Sequence, residues 1–304
     1  MTIQNIVVAV DGSEPSRNAV IWTAHFAEAI GARVTAVYVV SPICSPGIVA
    51  AAIAPISQAL FEVLLQENRR VLADDWCAPL RDAAVPFTPV VADGAPSVVI
   101  LEEAQRCGAD LLVAGTRGHG GFSELLLGSV TRHLVHHAPL PVVVVRGQGA
   151  ALSVPRKIMV GLDGSDDSDV ALEWAMTVAV RLGAHLVLAS ILSGSPGSTA
   201  EEDLNTGKGL EVKASAIRAA GVPCEAVLST SITAAGELIK LATSYRADLI
   251  VVGHRGTSLV NEWALGSVGS ELTDHASQPV VVVRRPPEAL GVAAAGPGYH
   301  YVSE

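Results

Sequence analysis

The hydrophobic positions in the first half of the chain form five short apolar runs, separated by longer stretches with helical spacing. Continuous apolar runs of this kind are typical of parallel strands buried on both faces of a sheet. Repeated strand–helix–strand order predicts right-handed crossovers and a doubly wound sheet. The five predicted strands are Ile3–Val10, Arg33–Val40, Pro86–Val91, Asp110–Ala114 and Pro141–Arg146.

The stretches between these strands predict four helices and one long loop. Ser13 and Ser16 offer hydroxyl caps to the first helix, and Gly31 ends it. Three prolines and a glycine make residues 41–55 an expected surface loop. The later helices are expected at Ser57–Asp82, from Asp93 to Cys107, and at Glu124–His137.

The same order of features restarts after residue 155. Asp163-Gly164-Ser165 repeats Asp11-Gly12-Ser13, and Pro279–Arg284 repeats the Pro-Val-Val-Val-Val-Arg of Pro141–Arg146. The repetition predicts an α/β protein of two tandem domains, each a doubly wound sheet of five parallel strands. The domains are expected at 1–148 and 155–287, followed by a disordered tail at 288–304.

A spaced glycine motif follows the fourth strand of each half. Glycine lets a backbone approach a ligand closely, and the next helix adds N–H donors and a partial positive charge. Together they predict an anion site, most often for phosphate, at the carboxyl ends of the strands. If these glycines served only as turn residues, the same long spacing between the second glycine and the Gly-Ser dipeptide would not be required in both halves. The copies are Gly115-x2-Gly118-x9-Gly128-Ser129 and Gly253-x2-Gly256-x9-Gly266-Ser267.

Composition narrows the class of partner. The 304 residues are 50% hydrophobic and carry a formal net charge of −10. This charge disfavours nucleic acid or an anionic membrane, but not a nucleotide whose phosphates are bound by backbone N–H groups. The four cysteines are scattered, and neither a signal peptide nor a membrane-spanning run is evident, so a cytoplasmic protein is expected.

These motifs resemble those of the universal stress protein family. The doubled glycine motif looks like that family's ATP-binding signature, and Val-Ala-Val-Asp11-Gly-Ser and Val-Gly-Leu-Asp163-Gly-Ser look like its first-strand motif. The resemblance covers about residues 3–147 and 156–286. It implies Rossmann-like domains of the adenine nucleotide α-hydrolase type, with ATP, with or without Mg²⁺, as the ligand of each.

The resemblance also implies which residues contact the nucleotide. Asp11 and Asp163 would approach the adenosine, and Val39 and Ile191 would border the adenine. Gly269 stands where the first half has Thr131, so one hydroxyl is lost and the two pockets are expected to differ. The phosphate-side residues would be Gly115, Gly118, Gly128, Ser129, Val130 and Thr131 in the first half, and Gly253, Gly256, Gly266, Ser267, Val268 and Gly269 in the second.

Simpler interpretations of the charged residues stay open. Asp11 and Asp163 could cap helices, a role compatible with ligand contact. His119 and His254 flank the phosphate loops, where lining the loop is preferred to stabilising phosphate charge.

A histidine cluster at the end of the fourth helix allows a metal site or a solvated helix end. His133, His136 and His137 share one helix face, but the second half has no matching cluster. The solvated end is preferred, because cations are favoured at a helix C-terminus. We predict no metal site and no catalytic set.

The valine-rich fifth strands bear on assembly. Val142–Val145 and Val280–Val283 would be flat apolar edges if they lie outermost, and such edges pair readily. The two halves of one chain are expected to pair them as an internal pseudo-dimer. A homodimer of chains, through the fifth strands or the domain surfaces, is a further expectation.

Three functions remain for such a chain. The preferred one is an ATP-binding regulator whose occupancy modulates partners or assembly under stress or growth arrest. The alternative is a slow ATPase or phosphotransferase, although the lack of an evident base or phosphate-loop lysine counts against efficient hydrolysis. The third is a structural stress protein that has lost its ligand.

Overall fold

A computed structural model of the chain describes residues 2–40, 63, 65–118, 127–146, 152–193, 200–256 and 265–285. The loop expected at 41–55 and the tail expected at 288–304 lie outside these residues. The described strands are β1 Asn5–Ala9, β2 Arg33–Val40, β3 Phe87–Asp93, β4 Leu111–Gly115, β5 Val142–Val145, β6 Lys157–Gly161, β7 His185–Ser193, β8 Cys224–Ser231, β9 Leu249–Gly253 and β10 Val280–Val283.

These strands form one continuous sheet in the order β3-β2-β1-β4-β5-β10-β9-β6-β7-β8. Strand pairs within each half are parallel, which confirms the doubly wound prediction. The chain moves outward from β1 to β3 and then returns to β4 on the other side of β1. The same reversal occurs between β6 and β9, so each half has one switch point where a crevice opens.

Helices cover both faces of the sheet. Val7 and Val8, consecutive in β1, belong to two separate hydrophobic cores, as expected for a strand buried on both sides. Among the described residues, no helix is long and apolar enough to cross a membrane. The described α-helices are α1 Glu14–Ile30, α2 Ala78–Asp82, α3 Pro96–Arg106, α4 Ser129–His137, α5 Asp166–Leu182, α6 Ala200–Ala219, α7 Ala234–Ser244 and α8 Ser267–His275.

The first three residues of the helix predicted at Glu124–His137 lie outside the described residues, and the described helix begins after two further residues, at Ser129 rather than at residue 127. Gly128 is extended, with φ −64° and ψ 154°, and the helix starts at Ser129. Leu127 keeps the apolar spacing of a helix, but it is buried ahead of the helix. The difference matters because it places the free helix N-terminus at the Gly-Ser dipeptide.

The long helix predicted at Ser57–Asp82 is interrupted. Residues 65–71 are helical, Leu72–Trp76 form a π-helical turn, and Ala78–Asp82 form a separate short helix. Pro79 lacks an N–H and is accommodated in the first turn of that new helix. The interruption places Trp76 edge-on against Tyr38, with ring centroids 5.0 Å apart.

The two halves meet through their fifth strands. β5 and β10 pair antiparallel, with Val143 opposite Val281 in the register. This pairing confirms the internal pseudo-dimer predicted from the valine-rich edges. It also corrects the expectation of a homodimer through the fifth strands, because each of those strands already has a neighbour on both sides within the chain. A homodimer through the domain surfaces stays a prediction.

Candidate functional site

A cavity of about 470 Å³ lies at the carboxyl ends of β1 and β4, at the switch point of the first half. Pro96 and Ile100 of α3 add an apolar wall to it. All eight residues predicted for the first site line this cavity: Asp11, Val39, Gly115, Gly118, Gly128, Ser129, Val130 and Thr131.

A second cavity, of about 640 Å³, occupies the matching position beside β6 and β9. Helix α6 adds Thr206, Leu210 and Lys213 to its lining. The eight residues predicted for the second site all line it: Asp163, Ile191, Gly253, Gly256, Gly266, Ser267, Val268 and Gly269. The structure therefore brings the predicted residues together in two separate crevices.

The carboxylate after the first strand organises the turn that enters the next helix. Asp11 Oδ1 accepts hydrogen bonds from the Ser13 N–H at 3.0 Å and the Ser13 hydroxyl at 2.6 Å. Ser13, not Asp11, is the N-cap, since its Oγ accepts from the Ser16 N–H. Asp163 holds Ser165 in the same way, at 3.0 and 2.6 Å. The capping interpretation is thus replaced by a supporting role that leaves each aspartate in the cavity wall.

The second glycine of each motif lies against that aspartate. A Cβ atom on Gly118 would come within 2.0 Å of Asp11 Oδ2, and one on Gly256 within 2.5 Å of Asp163 Oδ2. The absence of a side chain therefore lets loop and carboxylate approach closely across each crevice.

The first glycine of each motif lies against backbone. A Cβ on Gly115 would be 2.4 Å from the Pro15 carbonyl oxygen, and one on Gly253 would be 2.7 Å from the carbonyl carbon of Asp167. These contacts join the end of the fourth strand of each half to the start of the helix that follows its first strand. The first glycine therefore holds the crevice in shape.

The Gly-Ser dipeptides begin the helices that border the crevices. The first helical bond of α4 runs from the Arg132 N–H to the Gly128 carbonyl, and that of α8 from the Ser270 N–H to the Gly266 carbonyl. In each helix, the residues that precede this first donor have N–H groups without an acceptor in the helix. In α4 these include the Ser129 N–H. With the helix dipole, such N–H groups could hold an anion at the cavity.

Thr131 differs from its predicted role. It is buried, and its hydroxyl donates to the Gly115 carbonyl at 2.7 Å. Its one hydroxyl proton is thus used by the protein, while its backbone N–H remains at the helix start. The change to Gly269 in the second half removes a tie between helix and strand rather than a phosphate donor.

Two arginines that sequence reasoning missed also line the cavities. Arg117 and Arg255 each directly precede the second glycine of their motif. The Arg255 N–H and Nε both contact Asp167 Oδ2, at 3.0 and 3.4 Å. The sequence signal that could have identified these arginines is the Arg-Gly dipeptide that occurs in both motifs. An arginine here places a positive charge beside the N–H donors of the helix start.

Lys213 could not have been found from the motif. It reaches the second cavity from α6, and its ammonium is 2.7 Å from Asp169 Oδ1. Its position on a distant helix carries no local sequence signal.

His254, expected to line the phosphate loop, faces the junction between the halves instead. It is 1% exposed, and its Nε2 lies 2.7 Å from the Arg284 guanidinium. Burial, reinforced by Arg284, lowers the pKa of His254 from 6.5 to about 4. His119 lies outside the described residues.

The histidines at the end of α4 are more engaged than a solvated helix end would be. His133 and His137 stack at 4.1 Å, and His136 Nδ1 lies 3.4 Å from the Leu265 N–H of the other half. Burial is the main cause that lowers the pKa of His136. Within the described part of the chain, no group of three or more His, Cys, Asp or Glu side chains is placed so that it could hold a metal ion.

Comparisons with known proteins agree with the fold and the repeat. The model of the universal stress protein family matches residues 2–146 and 155–284. A universal stress protein of Mycolicibacterium smegmatis is 30% identical over 292 residues, covering 93% of this chain and 98% of the relative. A Mycobacterium tuberculosis relative is 28% identical over 302 residues, covering 92% and 96%.

A solved structure shares the architecture. The universal stress protein from Archaeoglobus fulgidus matches with a TM-score of 0.71 at 22% identity, covering 92% of this chain and 98% of that one. The fold and its paired crevices define a tandem α/β protein with one crevice per half. The two family matches span nearly the whole sequence, and the chain therefore belongs to the universal stress protein family.

Proposed function

We propose that the protein binds one adenine nucleotide in each half, with ATP as the preferred ligand, and that occupancy regulates its interactions. The observation that carries the proposal is the pair of crevices in which a strand-end aspartate faces a glycine loop and a free helix N-terminus. This is the arrangement expected of a nucleotide site, with an apolar side for the base and N–H donors for phosphate.

Charge supports a nucleotide over a larger polyanion. The chain carries a net charge of −10, yet Arg117 and Arg255 lie beside the helix N-termini in the cavities. Positive charge is therefore present where a compact phosphate group would sit. A nucleic-acid backbone would instead require an extended basic surface.

The apolar sides give each pocket a place for the base. Val39 and Ile100 line the first cavity, and Ile191 and Leu238 line the second. Burial of a planar base against such side chains contributes affinity that does not depend on salt. A site that holds its ligand through backbone donors suits a regulatory protein better than it suits an enzyme that hydrolyses the nucleotide.

The test is direct identification of the bound molecule. Protein purified without added ligand is examined by native mass spectrometry, and ATP, ADP, AMP and cAMP are then titrated by calorimetry. The proposal expects an adenine nucleotide to co-purify or to bind at micromolar concentrations. Phosphate release with and without Mg²⁺ is measured in parallel, and multiple turnover would favour the ATPase alternative. Failure of all four nucleotides to bind would refute the proposal.

A further inference from the structure

Each phosphate loop is tied to the other half of the molecule at the residue before its Gly-Ser dipeptide. The Leu127 N–H donates to Asp274 Oδ1 at 3.0 Å. The Leu265 N–H donates to His136 Nδ1 at 3.4 Å. Asp274 and His136 are the penultimate residues of α8 and α4, so the two ties are equivalent under the internal repeat.

The tied residues are well placed to hold the loops. Leu127 and Leu265 are 8% and 9% exposed, so their backbone donors have little access to water. Each is followed by the glycine whose N–H bonds back to its own loop, Gly128 to the Thr116 carbonyl at 2.8 Å and Gly266 to the His254 carbonyl at 2.9 Å. A shift at either leucine would therefore move the start of the phosphate-binding helix.

We propose that Asp274 and His136 are positioning residues for nucleotide binding, each acting on the pocket of the opposite half. The inference rests on the proposed function, since it concerns the same two pockets. Each tie fixes the loop before the ligand arrives, so that less ordering is required on binding. A pocket in this protein is then complete only when the other half is docked against it.

The two ties differ in strength. A carboxylate acceptor at 3.0 Å gives a charge-assisted hydrogen bond, whereas an imidazole nitrogen at 3.4 Å gives a weaker neutral one. Asp274 also lies 3.9 Å from the Arg132 guanidinium, which holds the carboxylate in place. The first pocket is therefore the more firmly set of the two.

The second tie is sensitive to protons, because Nδ1 accepts only while the ring is neutral. Arg132, His133 and His137 face His136 from its own helix. Arg284, which donates to the His136 carbonyl, and His254 face it from the second half. Burial and these neighbours favour the neutral ring, so the pKa of His136 lies below 6.5. The tie is thus intact at neutral pH and is lost as the pH falls.

The experiment reads each pocket separately by calorimetry with ATP. Gly256→Glu blocks the second pocket and leaves the first, and Gly118→Glu does the reverse. In the first background, Asp274→Leu should weaken ATP about tenfold, while Asp274→Asn, which keeps an oxygen acceptor, should stay near the parent. Arg132→Gln is the control that removes only the ion pair.

In the second background, His136→Leu should weaken ATP about threefold at neutral pH, and His136→Asn should restore binding because its amide oxygen can accept. Below pH 6.5 the second pocket, measured in the Gly118→Glu parent, should lose ATP affinity relative to the first pocket, measured in the Gly256→Glu protein. His136→Asn should remove that difference. The comparison between pockets cancels protonation of ATP itself. His275→Asn, an exposed neighbour on α8, is the control.

Amide hydrogen exchange of the unliganded protein reports the ties without nucleotide. Asp274→Leu should speed exchange at Leu127, and His136→Leu should speed it at Leu265. Faster exchange with unchanged ATP affinity would overturn the inference, as would unchanged exchange. Lack of nucleotide binding by the unmodified protein would instead refute the proposed function, and with it the positioning role, while exchange would still show whether the ties exist.

Discussion

At the scale of single residues, the two glycines of each motif do different work. Gly115 lies against the backbone of Pro15, which cannot yield, whereas Gly118 lies against the Asp11 carboxylate, which can rotate. Rotation would cost Asp11 its bonds to Ser13 at 3.0 and 2.6 Å. The first glycine is thus required for folding, and the second is required for the close approach of the loop to the aspartate in the pocket.

Alanine substitutions separate these roles. Gly115→Ala should lower the free energy of unfolding by about 1–3 kcal/mol, because the clash falls on backbone. Gly118→Ala should lower it less but weaken ATP binding in the first pocket. Denaturant unfolding and calorimetry measure the two effects. Gly207→Ala, on α6 and away from both motifs, is the control and should be neutral or slightly stabilising. Equal losses of stability at Gly115 and Gly118 would contradict the distinction.

At the scale of elements, the N-terminus of α4 is fixed to the end of β4 by one hydroxyl. Thr131 donates to the Gly115 carbonyl from a buried position, and Gly269 leaves α8 without such a tie to β9. The two helices that begin at the Gly-Ser dipeptides are thus attached differently. This difference was expected from the sequence, but as a lost phosphate contact.

Thr131→Val keeps the shape of the side chain and removes the donor. We expect the free energy of unfolding to fall by about 1 kcal/mol, the usual net value of a hydrogen bond. Thr243→Val is the matched control, because the Thr243 hydroxyl bonds the Ile239 carbonyl at an exposed position. If Thr131→Val and Thr243→Val lower the free energy of unfolding equally, the buried hydrogen bond contributes no more than the exposed one.

Sequence predicted the elements well where the pattern was local. The apolar strands, the N-cap at Ser13 and the end at Gly31 follow from short-range chemistry, and the structure confirms them. The start of α4 at Ser129 was missed, because Leu127 continues a helical spacing although it packs outside the helix. Apolar spacing alone cannot separate these two ways of burying a leucine.

The residues of each site that belong to the repeated motifs could be predicted from the sequence. The first glycine motif and Asp11 fall in one crevice because the strand order brings β1 beside β4. Lys213 was not predictable, because its contribution depends on where α6 packs. The ties to Asp274 and His136 depend on the docking of the two halves, which no local pattern encodes.

At the scale of the whole molecule, the halves are joined by more than the valine strands. His254 is buried at their junction beside Arg284, which also donates to the His136 carbonyl. The matching position in the first half is Thr116. The junction therefore contains an imidazole whose surroundings favour the neutral ring.

Acid should weaken this junction. The pKa of His254 is about 4 in the folded protein and 6.5 ordinarily, so the unfolded chain takes up a proton that the folded chain refuses. Stability from the neutral ring is present above pH 6.5 and falls by about 3 kcal/mol as the pH drops to 4. His254→Thr should flatten this part of the pH profile in denaturant unfolding, and His275→Thr, at an exposed site, should not. An unchanged slope in His254→Thr would contradict the assignment.

The proposed function requires two nucleotide sites per molecule, one in each half. Calorimetric titration with ATP measures their number most directly. We expect two ATP per chain for the unmodified protein, one for Gly118→Glu, one for Gly256→Glu and none for the double variant. Val180→Glu, which places the same charge on an exposed position of α5, should still bind two. Undiminished binding in the double variant, or no binding by the unmodified protein, would contradict it.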